Sequence, residues 1–256
     1  MLNYRTAGEG RPLVIVHGLF GSGDNWQTVA GKFPGWKAYL PDLRNHGESP
    51  WLDAFNLPAI AGDLADFARE LSLPLCPWIG HSLGGKALME LALTHPDRVS
   101  GIAVLDMTPK QSVPRYPGFV AALLGLDLET VTGRTDAQAK LEPHISDKAT
   151  LQFLLKSLVP DRHRPGRWRW RLNLEILDRD YAEIWKALEP GRSWDGPALF
   201  LYGGASDYFQ PGDEVLARSF FPRAAFAEVP GAGHWLHAEK PAEVVNALTA
   251  WLEEVS

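Results

Sequence analysis

The stretch Cys76-Pro77-Trp78-Ile79-Gly80-His81-Ser82-Leu83-Gly84-Gly85 decides the fold. Gly80, Ser82 and Gly84 form a G-x-S-x-G pentapeptide between an apolar run and a segment of helical spacing, residues 83–93, which His95-Pro96 stops. A serine on a sharp strand-to-helix turn exposes its hydroxyl, and backbone approaches the positions two before and two after it so closely that only small residues fit. Strand, serine and helix in this order predict a nucleophile elbow.

Working outward, short apolar runs recur. Residues 13–16 end in His17-Gly18, residues 38–40 in Pro41-Asp42, residues 102–105 at Asp106, and residues 198–202 at Gly203-Gly204; residues 226–229 supply a further run. Each reads as a buried strand. Helical patterns fall at 59–71, 213–220 and 242–252. The alternation predicts the α/β class: a mostly parallel, doubly wound sheet covered on both faces.

The rhythm breaks between residues 108 and 190, where helical patterns run without buried strands among Pro114, Pro117, Pro143, Pro160 and Pro165. The expected organisation is a core over 1–107, an inserted helical cap over 108–190, and the rest of the core over 191–256. Phe153, Leu154, Trp168, Trp170 and Trp185 make the insertion apolar. Packing of cap on core is their plainest role, and some of them should line a pocket where the two substructures meet.

The composition is that of an ordinary globular chain, with 45% apolar and 22% charged residues among 256. A net charge of -6 opposes general affinity for nucleic acid. The one basic cluster, Arg162, His163, Arg164, Arg167, Arg169 and Arg171, reads as a solvated cap surface, and more sharply as a contact for an anionic substrate group. Cys76 is the only cysteine, which excludes an intrachain disulfide and suits a reducing compartment. The first ten residues lack the features of a secretory signal, and no apolar stretch is long enough to span a bilayer. A cytoplasmic protein without membrane or nucleic-acid partners is expected, with its oligomeric state open. Absence of zinc-ligand spacing, of a dinucleotide fingerprint and of a Walker loop predicts neither metal nor cofactor.

A serine near pH 7 is a weak nucleophile that needs a base within reach and an acid to orient the base. His234, in Gly231-Ala232-Gly233-His234, is poorly explained as a core residue and fits the base. Backbone N–H groups that stabilise an oxyanion should come from Leu83, after the serine, and from the His17-Gly18 loop, through Leu19 or alternatively Phe20. His17 and His81 read as loop-holding residues, His46 as part of a turn, and His237 as a neighbour of the site. By position, Phe20, Trp26, Phe119, Phe153 and Trp235 are candidates for the pocket wall.

These motifs resemble those of the α/β-hydrolases, and more closely of the small bacterial carboxylesterases of the YbfF type. The resemblance covers nearly the whole chain and rests on His17-Gly18-Leu19-Phe20-Gly21-Ser22, Asp42-Leu43-Arg44-Asn45-His46-Gly47-Glu48-Ser49, Gly80-His81-Ser82-Leu83-Gly84-Gly85-Lys86, Gln152-Phe153-Leu154-Leu155-Lys156-Ser157 and the run from Gly231 to Pro241. It implies an eight-stranded type of sheet with a cap after the sixth strand and a shortened first hairpin. In that superfamily the acid commonly stands in Gly-x-x-Asp after the strand matching 198–202, where this chain has Gly203-Gly204-Ala205-Ser206. Asp207 lies one residue later, and Asp106 ends the preceding strand; both can be considered as the acid. The YbfF-type resemblance favours Asp106, with Ser206 in the same network.

The expected function is that of a serine carboxylesterase or thioesterase cleaving small, largely apolar acyl groups through an acyl-enzyme. A lyase or carbon-carbon hydrolase on the same fold, and a noncatalytic ligand-binding protein, are the alternatives.

Overall fold

The computed structural model describes residues 1–114 and 117–255. The strands of the main sheet are β1 (Tyr4–Ala7), β2 (Arg11–Val16), β3 (Trp36–Pro41), β4 (Cys76–His81), β5 (Val99–Leu105), β8 (Ala198–Gly203) and β9 (Ala224–Val229), with β6 (Leu158–Pro160) and β7 (Trp168–Trp170) forming a separate pair. The order across the main sheet is β1-β3-β2-β4-β5-β8-β9. Only β1 runs antiparallel, with Tyr4 opposite Pro41; every other pairing is parallel. Strand β4 is buried along its whole length, as a parallel strand covered on both faces must be.

The helices that cover the sheet are α1 (Gln27–Ala30), α2 (Leu57–Glu70), α3 (Leu83–Thr94), α8 (Asp213–Phe220), α9 (Leu236–Glu239) and α10 (Pro241–Glu254). Helix α2 starts where the sequence supplies a cap: Asn56 Oδ1 accepts from Ala59 N–H at 2.9 Å, and Pro58 sits in the first turn. One apolar core joins Leu64, Phe67, Trp78 and Leu88 on one face of the sheet. The other joins Leu13, Ile15, Trp26, Leu248 and Trp251.

Seven strands rather than eight form this sheet among the described residues. Ahead of β1, Asn3 continues the antiparallel pairing of β1 with β3 onto Asp42. Its carbonyl accepts from Asp42 N–H at 2.8 Å, and its side-chain amide donates to Asp42 Oδ2 at 2.7 Å.

Between β5 and β8 the chain leaves the sheet through α4 (Pro117–Leu124), α5 (Arg134–Leu141), α6 (Lys148–Leu155), β6, β7 and α7 (Leu174–Arg179). This segment is helical apart from one short hairpin. Leu158 pairs with Trp170 and Pro160 with Trp168, and Asp161 N–H closes the hairpin onto Arg167 O at 2.7 Å. Proline, which has no donor, stands at the turn end of this two-stranded pair, where both strands are edges and a missing N–H costs little.

Lys86, buried in α3, ties both ends of the insertion to the core. Its Nζ donates to Lys110 O at 3.1 Å and to Trp185 O at 3.2 Å, and burial lowers its pKa to about 8. The basic cluster is paired instead of free: Arg164 with Glu129 and Asp161, Arg167 with Glu129, Arg169 with Glu48, and Arg171 with Asp24. No helix among the described residues is long and apolar enough to cross a membrane.

Candidate active site

The parallel pairing of β4 with β5 and of β5 with β8 brings the carboxyl ends of three strands side by side. Ser82 follows β4, Asp106 follows β5, and Ser206 follows β8. Ser82 adopts φ 53°, ψ -119°, a left-handed backbone that costs a non-glycine residue about 1–3 kcal/mol. Its N–H donates to Leu105 O at 2.9 Å, and its carbonyl accepts from Lys86 N–H at 3.0 Å. The pentapeptide glycines answer to sterics: a Cβ on Gly80 would lie 2.6 Å from the Gly84 carbonyl, and one on Gly84 would lie 2.5 Å from Val16 O.

His234 bridges the serine and one carboxylate. Its Nε2 lies 3.0 Å from Ser82 Oγ, and its Nδ1 lies 2.6 Å from Asp106 Oδ2. Asp106, only 1% exposed and itself at φ 50°, also accepts from Ser206 Oγ at 2.5 Å and from Gly203 N–H at 3.1 Å. With Nδ1 donating to Asp106, Nε2 is left as the acceptor that faces the serine hydroxyl. Asp207 lies exposed on the loop after β8. Ser206 therefore enters the network through the carboxylate, while both ring nitrogens of His234 are already engaged by Ser82 and Asp106.

Other rings hold the imidazole. Tyr208 stacks on His234 with centroids 3.6 Å apart and an interplanar angle of 11°. His81 Nε2 donates to the His234 carbonyl at 2.8 Å, which fixes the loop behind it. His17 and His46 brace the opposite loop. His17 Nδ1 donates to Gly18 O at 2.8 Å while its Nε2 accepts from Leu43 N–H; His46 Nδ1 donates to Arg44 O while its Nε2 accepts from Phe20 N–H at 3.1 Å.

That last bond bears on the oxyanion donors. Phe20, at φ 63°, has its amide engaged by His46. The Leu19 and Leu83 amides make no hydrogen bond among the described residues. Leu83 opens α3, where N–H groups lack helical partners and the helix dipole favours negative charge.

A cleft opens over the serine. Phe20, Trp26, Phe119, Phe153 and Trp235 all line it, with Phe119 from α4 and Phe153 from α6. The Phe153 and Trp235 rings meet edge to face at 4.2 Å. Trp185, one of the apolar residues of the insertion, and His237, read as a neighbour of the site, line it too, as does Tyr208, which no local sequence signal marks. Trp168 and Trp170 belong to the packed core instead.

Burial keeps the surrounding imidazoles neutral. Desolvation lowers His46 to a pKa of about 3 and His237 to about 4, and it holds His17 below and His81 well below the ordinary histidine value. His237 also stacks on Trp26 at 4.5 Å.

Comparison with known proteins agrees with this architecture. The family model described as the alpha/beta hydrolase fold matches residues 11–241. Esterase YbfF of Escherichia coli is 37% identical over 249 residues, covering 95% of this chain and 93% of that protein. The mouse (Mus musculus) sn-1-specific diacylglycerol lipase ABHD11 is 35% identical, covering 94% of this chain and 80% of that protein. A solved structure described as a marine microorganism esterase superposes with a TM-score of 0.92 at 34% identity, covering 98% of each chain. The protein is a serine hydrolase, and its chain belongs to the alpha/beta-hydrolase family.

Proposed function

We propose that the protein is a carboxylesterase that hydrolyses small, largely apolar acyl esters without a cofactor, through an acyl-enzyme on Ser82. The observation that carries this reading is the bridging of Ser82 and Asp106 by His234 beneath an aromatic cleft. Ser82 Oγ attacks the ester carbonyl as His234 Nε2 takes its proton, and the negative charge develops on the carbonyl oxygen. Amides of Leu19 and Leu83 are the donors that receive this charge. Collapse expels the alcohol, which leaves with the proton from His234. Water then repeats the sequence: His234 takes its proton, the hydroxide adds to the acyl carbonyl, and Ser82 departs with that proton as the acid is released.

Asp106 keeps Nδ1 protonated and offsets the charge of the imidazolium. Phe20, Trp26, Phe119, Phe153 and Trp235 supply apolar wall for the acyl group. The same two steps cleave a thioester, with a thiol leaving in place of an alcohol. Esterases and a lipase among the relatives support the ester reading. The buried free thiol of Cys76, which burial raises to a pKa of about 12, is compatible with a reducing cytoplasm.

Covalent labelling with a fluorophosphonate, mapped by peptide mass spectrometry, tests the reading. Stoichiometric label on Ser82, absent from Ser82→Ala, supports an activated serine. A folded wild-type protein that stays unlabelled overturns it and favours a binding protein. Labelling without turnover of any simple ester points to a lyase or a carbon-carbon hydrolase.

A further inference from the structure

Beside the aromatic cleft lies a second, smaller recess with a different chemistry. It shares Phe20, Asn25 and Phe153 with the cleft, so the two are neighbours across those side chains. Its remaining lining includes Lys156, Ser157 and Arg171, two cations and a hydroxyl, and no carboxylate. In a chain of net charge -6, a cationic recess at the edge of the reaction cleft is not a product of overall composition.

Lys156 differs from the paired arginines further along the same segment. Lys156, exposed at the end of α6, has no ion-pair partner among the described residues. Arg171 is held in place: its backbone N–H donates to Ser157 O at 2.8 Å, and its NH1 reaches Asp24 at 3.2 Å. Its side chain is only 14% exposed, and its buried Nε donor has no partner. Asp24 is itself shared with Arg5 at 3.1 Å, so it does not neutralise the recess alone. Proximity to the reaction centre has separate support, because the charge of Lys156 is one of the causes that lower the pKa of His237 in the cleft wall.

We infer that this recess is an anion subsite, and that the preferred ester carries a carboxylate which Lys156 and Arg171 bind while the ester lies at Ser82. The inference rests on the carboxylesterase reading above and narrows its substrate class to esters with one apolar body and one acidic end. It also moves the anionic contact away from Arg164, Arg167 and Arg169, whose charges are already met by Glu129, Asp161 and Glu48.

The test compares kcat/KM for matched esters, with spontaneous hydrolysis subtracted. Mono-p-nitrophenyl esters of linear dicarboxylic acids, from adipate to sebacate, are set against chain-matched p-nitrophenyl alkanoates. Acetate esters of carboxyphenols are set against those of hydroxymethylphenols, so that a carboxylate on either side of the ester is sampled. Expected is a preference of about tenfold for the acidic member of one series, the effect of one well-placed charge contact. It shrinks toward unity in Lys156→Gln and in high salt, and it inverts in Lys156→Glu. Because Lys156 is exposed, these variants should remain folded, which thermal melting checks. Neutral esters turned over without preference for the acid in either series, or a preference that Lys156→Glu leaves intact, overturns the subsite. If no ester of either kind is turned over, the carboxylesterase reading itself has failed.

Discussion

Ser206 Oγ and His234 Nδ1 converge on the same oxygen of Asp106, at 2.5 and 2.6 Å. The carboxylate that faces the imidazole is thus held from a second strand end, while its other oxygen takes the Gly203 amide. On this account Ser206 positions the acid and takes no part in proton transfer. Ser206→Ala should lower kcat by about tenfold, well short of losing the acid, since removing one neutral donor weakens but does not empty the carboxylate's shell. A loss as large as that of Asp106→Asn, measured under saturating ester, would place Ser206 in the chemistry instead.

The two candidate acids separate cleanly in kinetics. Asp106→Asn should reduce kcat by about 10⁴-fold, because an amide cannot hold the imidazole in the required tautomer or offset its charge. Asp207→Asn should stay within about twofold of wild type, as expected for an exposed loop residue outside the reacting set. Steady-state rates on a short-chain p-nitrophenyl ester decide between them.

The glycines make a stability prediction with opposite signs. A methyl on Gly84 would sit 2.5 Å from Val16 O, against rigid backbone, so Gly84→Ala should cost about 3 kcal/mol or more. Gly62 lies inside α2 with nothing within 4 Å of the added carbon, so Gly62→Ala should stabilise by about 0.5–1 kcal/mol. Urea midpoints of the two variants against wild type measure both.

Acid sensitivity follows from the histidines. His46 and His237 have folded pKa values of about 3 and about 4, below the ordinary 6.5, so under acid the unfolded chain binds protons that the folded chain refuses. Stability is unaffected by these two groups above pH 6.5 and is lost as pH falls, down to about 4 for His237 and about 3 for His46. Each removes about 1.4 kcal/mol per pH unit in its window, with His17 and His81 adding in the same direction. Unfolding free energies from pH 7.5 to 4.5 should fall steeply, and His46→Gln should flatten the slope. An unchanged slope in that variant would count against a neutral, buried His46.

Much of this molecule was legible in the chain because its strands are buried on both faces. Such strands read as unbroken apolar runs, and the residues that end them, Ser82, Asp106 and Ser206, lie at one edge of the sheet by construction. Strand β1 was not legible: Tyr4-Arg5-Thr6-Ala7 is a half-covered edge without an apolar run. The β6–β7 hairpin was hidden for a related reason, since its strands are three residues long and flanked by prolines and arginines. Sequence left the loop oxyanion donor open between Leu19 and Phe20, and the hydrogen bond of the Phe20 amide to His46 supports the proposal of Leu19. Tyr208 reaches the cleft only through packing between segments far apart in the chain, which no local pattern records.

The most direct test of the account is hydrolysis of short-chain p-nitrophenyl esters by the folded wild-type protein and by Ser82→Ala. The expected result is saturable turnover by the wild type and a fall of about 10⁶-fold in kcat in the variant, with unchanged thermal melting. Equal rates from the two proteins, or a folded wild type inert toward every ester in the series, would contradict the assignment of Ser82 as the nucleophile of an esterase.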